Sequence, residues 1–371
     1  MAPPFSASRP LARARRIPCY QRVAMGKKGQ KPPAVPAASP EPTPETLFGA
    51  GPAAPPPARV LPVLTPGVYP GSVVHTPRPA AVPPLAAKAK QPGAGRWRGA
   101  GELIRARRCR HGVMLYLRHD AVIGRQLDLY GEKGEDEQRM LDRLVGPGDV
   151  VVDAGASIGA HAVPLARRVG PGGMVHAFEP QRFIFSILAA NLVLNELPQG
   201  RAHHAAVGAA PGTIEVPTID HGSRDDFGGL SLDGASRARV LDSAPREQVR
   251  LTTVDALGLD RLRLLKIDVE GMERAVLLGA RETIERCRPV LYFTADRRDR
   301  NQALFTTAFE LGYRLWWHLA PLFNPLNFAG NADDVFPDMV SFNVLGMPGE
   351  TDPAFAGGTE VTSPSQIWPL P

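Results

Sequence analysis

The apolar positions of this chain fall into short β-branched runs, each stopped by an acidic residue and followed by residues with helical spacing. Residues 149–152 place three valines in succession and stop at Asp153, with Gly155 and Gly159 just beyond. That pattern predicts a buried strand, a tight turn and a helix of small apolar residues running from Ser157, as N-cap, to Arg168. Met174–Phe178 predicts a second strand closed by Glu179. Residues 262–267 predict another, closed by Asp268 and lying 115 residues after the first. Met272, Val276, Ala280 and Ile284 then recur at steps of four, one apolar face of a helix. Repeated strand–turn–helix units build an open, mostly parallel α/β sheet, which binds ligands at the carboxyl ends of its strands.

The residues at those ends narrow the chemistry. Glycines at 155 and 159 remove a Cβ where the backbone must approach a ligand. Their spacing, D-x-G-x-S-x-G, departs from the G-x-G-x-x-G of dinucleotide sites. Glu179, 24 residues after Gly155, stands where a carboxylate accepts hydrogen bonds from the two ribose hydroxyls of an adenosine; the plainer reading is a solvated strand end. No G-x-x-x-x-G-K-S/T run marks a nucleoside triphosphatase. NAD and S-adenosylmethionine both remain open as cofactor. Lys266, Asp268 and Glu270 cluster at the fourth strand's end, where methyl transfer to a hydroxyl gains from a group that orients the acceptor and takes its proton. The plainer readings are a snorkelling lysine at 266 and, for Glu273, a first-turn charge favoured by the helix dipole.

Over about residues 109–348 the chain resembles the FkbM family of S-adenosylmethionine-dependent methyltransferases. The resemblance rests on VVDAGASIGAHAVPLARRVGPGG, VHAFEPQ, ANLVLNEL, KIDVEGMERAVLLGA with ETIERCRPVLY, LWWHLAPLFNPLNFAGN and the lead-in CRHGVMLYLRHDAVIGRQLDLYGE, of which KIDVEGME is the most specific. It implies a class I, Rossmann-like methyltransferase: α/β, with a seven-stranded, mostly parallel sheet and a last antiparallel strand. It also implies methylation of a hydroxyl on a saccharide or polyketide-type molecule. Carried over by position, Asp153, Gly155, Ser157 and Gly159 bind the cofactor, Glu179 holds its ribose and Asp268 faces the methyl group. Asn191 and Asn195 are read as structural caps, and Phe227, Gly228 and Gly229 as a loop able to fold over the cofactor. Close relatives carry Glu-Asn-Asp where this chain has Thr294, Ala295 and Asp296. A hard cation wants several oxygen ligands, so the departure predicts metal-independent transfer or reduced activity, with no metal ligands assigned.

Tyr313, Trp316, Trp317 and His318 are followed by Phe323, Asn324, Asn327, Phe328 and Asn331. Adjacent residues on a strand face opposite ways, so at most one tryptophan reaches a cleft. This segment is expected to contact the acceptor through an aromatic ring and asparagines, against the alternative of ordinary strand packing. His318 is the imidazole candidate for general base.

Composition adds a boundary near residue 97. The residues before it are Pro/Ala-rich and basic, with too little large apolar surface to order themselves, and are expected to form a disordered extension. Residues 1–110 hold 18 Lys/Arg and three Asp/Glu, so a segment of charge +15 precedes one of −9 and hides behind the overall +6. Such an arm suits anionic surfaces or a transit signal, and Met25 is a plausible alternative start; a solvated extension is the expectation. Residues 98–148 are read as lead-in strands and helix, 149–348 as the methyltransferase domain, and 349–371 as a flexible tail. Cys19, Cys109 and Cys287 lack C-x-x-C spacing, which argues against a zinc site and for a reducing compartment. No apolar run reaches 18 residues. The Ala/Arg/Pro/Gly bias suggests a bacterium.

The resulting expectation is a cytoplasmic, S-adenosylmethionine-dependent O-methyltransferase acting on a small molecule or saccharide rather than on a specific nucleic acid. Its catalytic candidates are Asp268, Lys266, Glu270 and His318. The competing readings are a cofactor-binding module that has lost catalysis and an NAD(P)-dependent oxidoreductase.

Overall fold

The structure, a computed structural model, describes residues 20–22, 103–222, 225–228, 244–351 and 358–369. Its centre is a sheet of parallel strands β4 (Val150–Ala154), β5 (Met174–Phe178), β6 (Gly200–His203), β10 (Leu264–Ile267) and β11 (Val290–Thr294). Beyond β11 lies β13 (Met339–Pro348), antiparallel both to β11 and to β12 (Tyr313–Pro321) on its far side. The order is β6-β5-β4-β10-β11-β13-β12, with β14 (Glu360–Val361) added outside β12. The expected seven strands with a last antiparallel one are all present. β4, β10 and β11 are buried along their whole length, which is why they read as unbroken apolar runs instead of alternating ones. The chain proceeds outward from β4 to β6 and then returns to β10 on β4's other side. That reversal opens a crevice at the carboxyl ends of β4 and β10.

Helices α3 (Ala162–Val169) and α4 (Arg182–Leu194) follow β4 and β5. The helix expected from Ser157 begins five residues later: Ser157 has φ +49°, and His161 takes the N-cap position. The continuous helix expected through Met272 and Ile284 is two, α5 (Glu273–Leu278) and α6 (Arg281–Cys287). Val276, Ala280 and Ile284 are buried as the spacing required, but Gly279 lies so close to the Gly208 carbonyl that any Cβ there would collide with it. Helix α7 (Arg298–Glu310) follows β11.

The lead-in is a hairpin, β2 (Ile104–Cys109) and β3 (Gly112–Leu117), followed by α1 (Ile123–Tyr130) and α2 (Glu135–Leu144). Asn191 and Asn195 on α4 satisfy the free edge of β3. Asn191 Oδ1 accepts from Leu115 N at 2.7 Å and Nδ2 donates to Leu115 O at 3.0 Å, while Asn195 does the same with Val113 at 3.0 and 2.7 Å. Two amides one helical turn apart thus act as a short pseudo-strand, a structural role, though not that of the caps expected of them.

Both ends depart from expectation. Tyr20–Arg22, inside the segment expected to be disordered, forms β1 and pairs with Met339–Ser341; the rest of 1–97 lies outside the described residues. The expected flexible tail is docked over 358–369: Val361 is buried in β14, and Trp368 stacks on Phe342 with ring centroids 4.3 Å apart. Among the described residues no helix is long and apolar enough to cross a membrane. Cys109 and Cys287 are both free thiols.

Candidate active site

A cleft opens at the carboxyl edge of β4, β5, β10 and β11. Gly155, Ser157, Phe178, Glu179, Asp268 and Glu270 line it, joined by Ala205–Val207 from β7 (Ala206–Val207) and its approach, and by Asp226, Gly228, Thr294 and Ser341. The sequence therefore brought Gly155, Ser157, Glu179, Asp268 and Glu270 to one place.

Local geometry explains the grouping. Gly155 has φ +83°, and a Cβ there would collide with the Asp268 carbonyl oxygen, so the turn after β4 can cross the end of β10 only at a glycine. Gly155 N and Ala156 N donate to Phe178 O, tying that turn to the end of β5. Glu179 Oε2 accepts from Ser157 N at 3.1 Å and Oε1 from Gln181 N at 2.8 Å. Burial outweighs these bonds and pushes the Glu179 carboxyl up to about 7, with the negative charges of Asp153 and Asp268 adding to the rise.

The register of β4 and β10 pairs Asp153 with Lys266 across the sheet. Both are buried, and Lys266 Nζ donates to Asp153 Oδ1 at 2.9 Å and lies 3.7 Å from Asp268 Oδ2. The two carboxylates keep Lys266 protonated against its burial. Lys266 does not line the cleft; its ammonium lies beneath it, bonded to Asp153 and beside Asp268. Asp153 likewise does not line the cleft, and its Oδ2 is buried without a hydrogen-bond partner among the described residues. Gly159, with φ +88°, faces Leu188 rather than the cleft, so its glycine serves the packing of the turn on α4.

Asp268 has a third of its side chain exposed, and its Oδ1 accepts from Thr294 Oγ1 at 3.0 Å. The Thr294 hydroxyl therefore anchors the Asp268 carboxylate. Glu270 lines the cleft from a left-handed turn residue, φ +53°. Glu273 does not line this cleft; its Oε1 accepts from Gly271 N at 2.8 Å in the turn before its own helix.

The aromatic segment is not at the cleft. Trp316 and Trp317 are both buried and face opposite sides of the sheet, each in a different core. His318 is held between Tyr292 Oη, 2.8 Å from its Nδ1, and Asp136 Oδ2, 3.4 Å from its Nε2, and does not line the cleft. His318→Ala should leave kcat/KM within about threefold, measured once an acceptor is in hand. The asparagines bind protein: Asn324 Nδ2 donates to Glu132 Oε1 at 2.7 Å, and Asn327 Nδ2 to the Asn324 and Asn331 carbonyls. Phe227 is buried and its carbonyl accepts from Gln181 Nε2 at 3.0 Å, while Gly228 lines the cleft; Gly229 lies outside the described residues.

Lys133 and Asp226 are charged cleft residues that sequence reasoning missed. Lys133 sits in the turn between α1 and α2, buried, and lines the same cleft as Glu270 and Asp268. A lysine in the polar run GEKGED reads as a solvated loop, so nothing in composition singled it out.

Strand order, a glycine turn under the switch point and an acidic residue after β5 define a class I methyltransferase fold. Residues 153–315 match the family described as the methyltransferase FkbM domain. A 95-residue stretch is 36% identical to 31-O-demethyl-FK506 methyltransferase FkbM of Streptomyces tacrolimicus; it covers 26% of this chain and 35% of that relative, so the chain spans about a third of the relative's length. Among solved structures, methyltransferase FkbM from Methylobacillus flagellatus aligns at 20% identity over 57% of this chain and 50% of its own, with TM-score 0.35. A SAM-dependent O-methyltransferase from Thermotoga maritima aligns at 14% identity over 66% of this chain and 78% of its own, with TM-score 0.32.

Proposed function

We propose that the chain is an S-adenosylmethionine-dependent methyltransferase that transfers a methyl group to a hydroxyl oxygen of a saccharide or polyketide-type molecule. The observation that carries this reading is that Glu179, Asp268 and the Gly155 turn line one cleft. Glu179, already accepting two backbone N–H bonds, turns its remaining lone pairs toward the space where ribose hydroxyls would donate. Gly155 admits a ligand against the backbone, and the apolar wall of Phe178, Ala205 and Val207 suits a flat base. When bound, the cofactor supplies an electrophilic methyl group on a positively charged sulfur.

The chain's part is to position the acceptor and take its proton. Asp268 orients the acceptor hydroxyl and accepts the proton, with Glu270 beside it. Lys266 and Thr294 hold the Asp268 carboxylate in place. The acidic lining of Glu179, Asp226, Asp268 and Glu270 also suits a cationic sulfonium better than the paired phosphates of a dinucleotide. With Thr294 and Ala295 in place of oxygen-rich ligands, chelation by EDTA should change turnover by less than about twofold, and substantial Mg²⁺ dependence would count against that part of the reading.

The test is calorimetric titration of the full chain with S-adenosylmethionine, S-adenosylhomocysteine and NAD. Micromolar binding of the two sulfur compounds supports the reading and justifies screening sugar and polyketide acceptors. Binding of NAD alone overturns it, and binding of S-adenosylhomocysteine with no turnover on any acceptor would favour the non-catalytic module.

A further inference from the structure

The turn carrying Lys133 precedes the family-matched residues, yet it is built as a fixed piece of the cleft. Gly131 and Gly134 both adopt left-handed backbone, φ +67° and +54°, and bracket the two residues between them. Glu132 ties the turn down: Oε2 accepts from Arg110 Nε at 2.7 Å and Phe328 N at 2.8 Å, and Oε1 accepts from Asn324 Nδ2 at 2.7 Å. Gly134 N donates to Gln126 Oε1 at 3.2 Å. Between these anchors Lys133 is only 7% exposed and lines the cleft.

Its ammonium has three donors. One goes to Glu137 Oε2 at 3.2 Å and a second to His161 Nε2 at 3.0 Å. Burial, then the Lys133 charge, holds His161 below its ordinary value, so the ring is neutral near pH 7 and Nε2 can accept. The Lys133 charge holds the Glu137 carboxyl well below the usual carboxylate range despite its burial. Glu137 is fixed in turn, its Oε1 accepting from Asn343 Nδ2 at 3.3 Å. The third donor has no protein acceptor among the described residues. A buried charge calls for full hydrogen bonding, and the open side of Lys133 is the cleft.

We propose that Lys133 binds a carboxylate in the cleft, supplied either by the amino-acid end of the cofactor or by an acid group on the acceptor. This rests on the S-adenosylmethionine reading above. A single cation sharing the cleft with Asp226, Asp268 and Glu270 suits a monoanion rather than a phosphate dianion, whose second charge would be repelled by those carboxylates. Lys133 is a binding residue in this proposal and moves no proton.

The test compares S-adenosylhomocysteine with 5′-methylthioadenosine, which shares its nucleoside and thioether but lacks the amino acid. Both are titrated calorimetrically into the full chain and into Lys133→Met and Lys133→Arg. If the cofactor supplies the carboxylate, Lys133→Met weakens S-adenosylhomocysteine about 30-fold, leaves 5′-methylthioadenosine unchanged, and Lys133→Arg restores most of the difference. If the acceptor supplies it, both nucleosides bind the variant normally. Glucuronate, as a probe, then binds the S-adenosylhomocysteine complex of the wild type and not that of Lys133→Met. Unchanged binding of both nucleosides with no difference in glucuronate overturns the proposal and leaves the cofactor reading standing. A wild-type chain that binds neither nucleoside overturns both. Should Lys133→Met fail to fold, shown by loss of 5′-methylthioadenosine binding, Lys133→Gln keeps a donor for Glu137 without the charge and takes its place under the same outcomes.

Discussion

Glu179→Ala is expected to weaken S-adenosylhomocysteine binding by about 100-fold, the loss of two charge-assisted hydrogen bonds to a ribose offset by water entering the site. The size depends on pH, and the sign can be worked out. Burial raises the Glu179 carboxyl to about 7 in the ligand-free chain. The form that accepts from both ribose hydroxyls is the carboxylate, so wild-type affinity should be full above pH 7 and fall toward a limiting tenfold per pH unit below it. Stability runs the other way. A carboxyl whose folded-state value lies above its unfolded one binds its proton more tightly in the native state. It therefore favours folding at low pH, and that contribution is lost as the pH rises through about 7. The increase in Tm on adding ligand should accordingly grow between pH 6 and 8. Glu179→Gln should flatten that growth; a variant with the wild-type pH profile would remove Glu179 from ribose recognition. Glu179→Ala also leaves Ser157 N and Gln181 N without their acceptor, so the ligand-free Tm of each variant should be measured alongside.

Asp268→Asn should lower kcat by about 100-fold or more, within the range for losing a positioned general base, while S-adenosylhomocysteine affinity stays within about threefold. The amide matches the carboxylate in shape and can still accept the Thr294 hydroxyl bond, but it takes no proton and no longer offsets the charge of Lys266. The separation of the two effects is the informative part. Joint loss of binding and turnover would mean that Asp268 holds the cofactor instead of the acceptor, and unchanged turnover would end its candidacy as the base. Thr294→Val gives a milder check, since it removes only the hydroxyl that steadies the carboxylate.

Residues whose position follows from strand direction alone were legible in the sequence. Met174–Phe178 has the strand limits that its apolar run announced, and Gly155, Glu179 and Asp268 meet because all three follow strand ends on one edge of a parallel sheet. Side-chain direction was less legible. Asp153 and Lys266 sit in the same strand-end motifs but point into the floor, where cross-strand register pairs them, and register is not written in either motif alone. His318 occupies an inviting strand, yet its partners come from β11 and α2, elements distant in sequence. Gly279 ended a helix that periodicity would have continued, because a backbone 71 residues away passes against it. Trp368, in a Gly/Pro/Thr-rich tail, found a ring to stack on that composition could not foresee.

The boundaries of the family match and of the folded sheet do not coincide. The match starts at Asp153, after Val150–Val152 have entered β4, and stops at 315, before β13. Since β13 lies between β11 and β12, a polypeptide excised at those limits would leave two strands with nothing to join them and would break the central strand near its middle. What is inherited as a recognisable block is therefore smaller than what must cohere to fold. Any chimera that exchanges this block between relatives has to carry the flanking strands with it, and the two flanks must be compatible with each other as well as with the block.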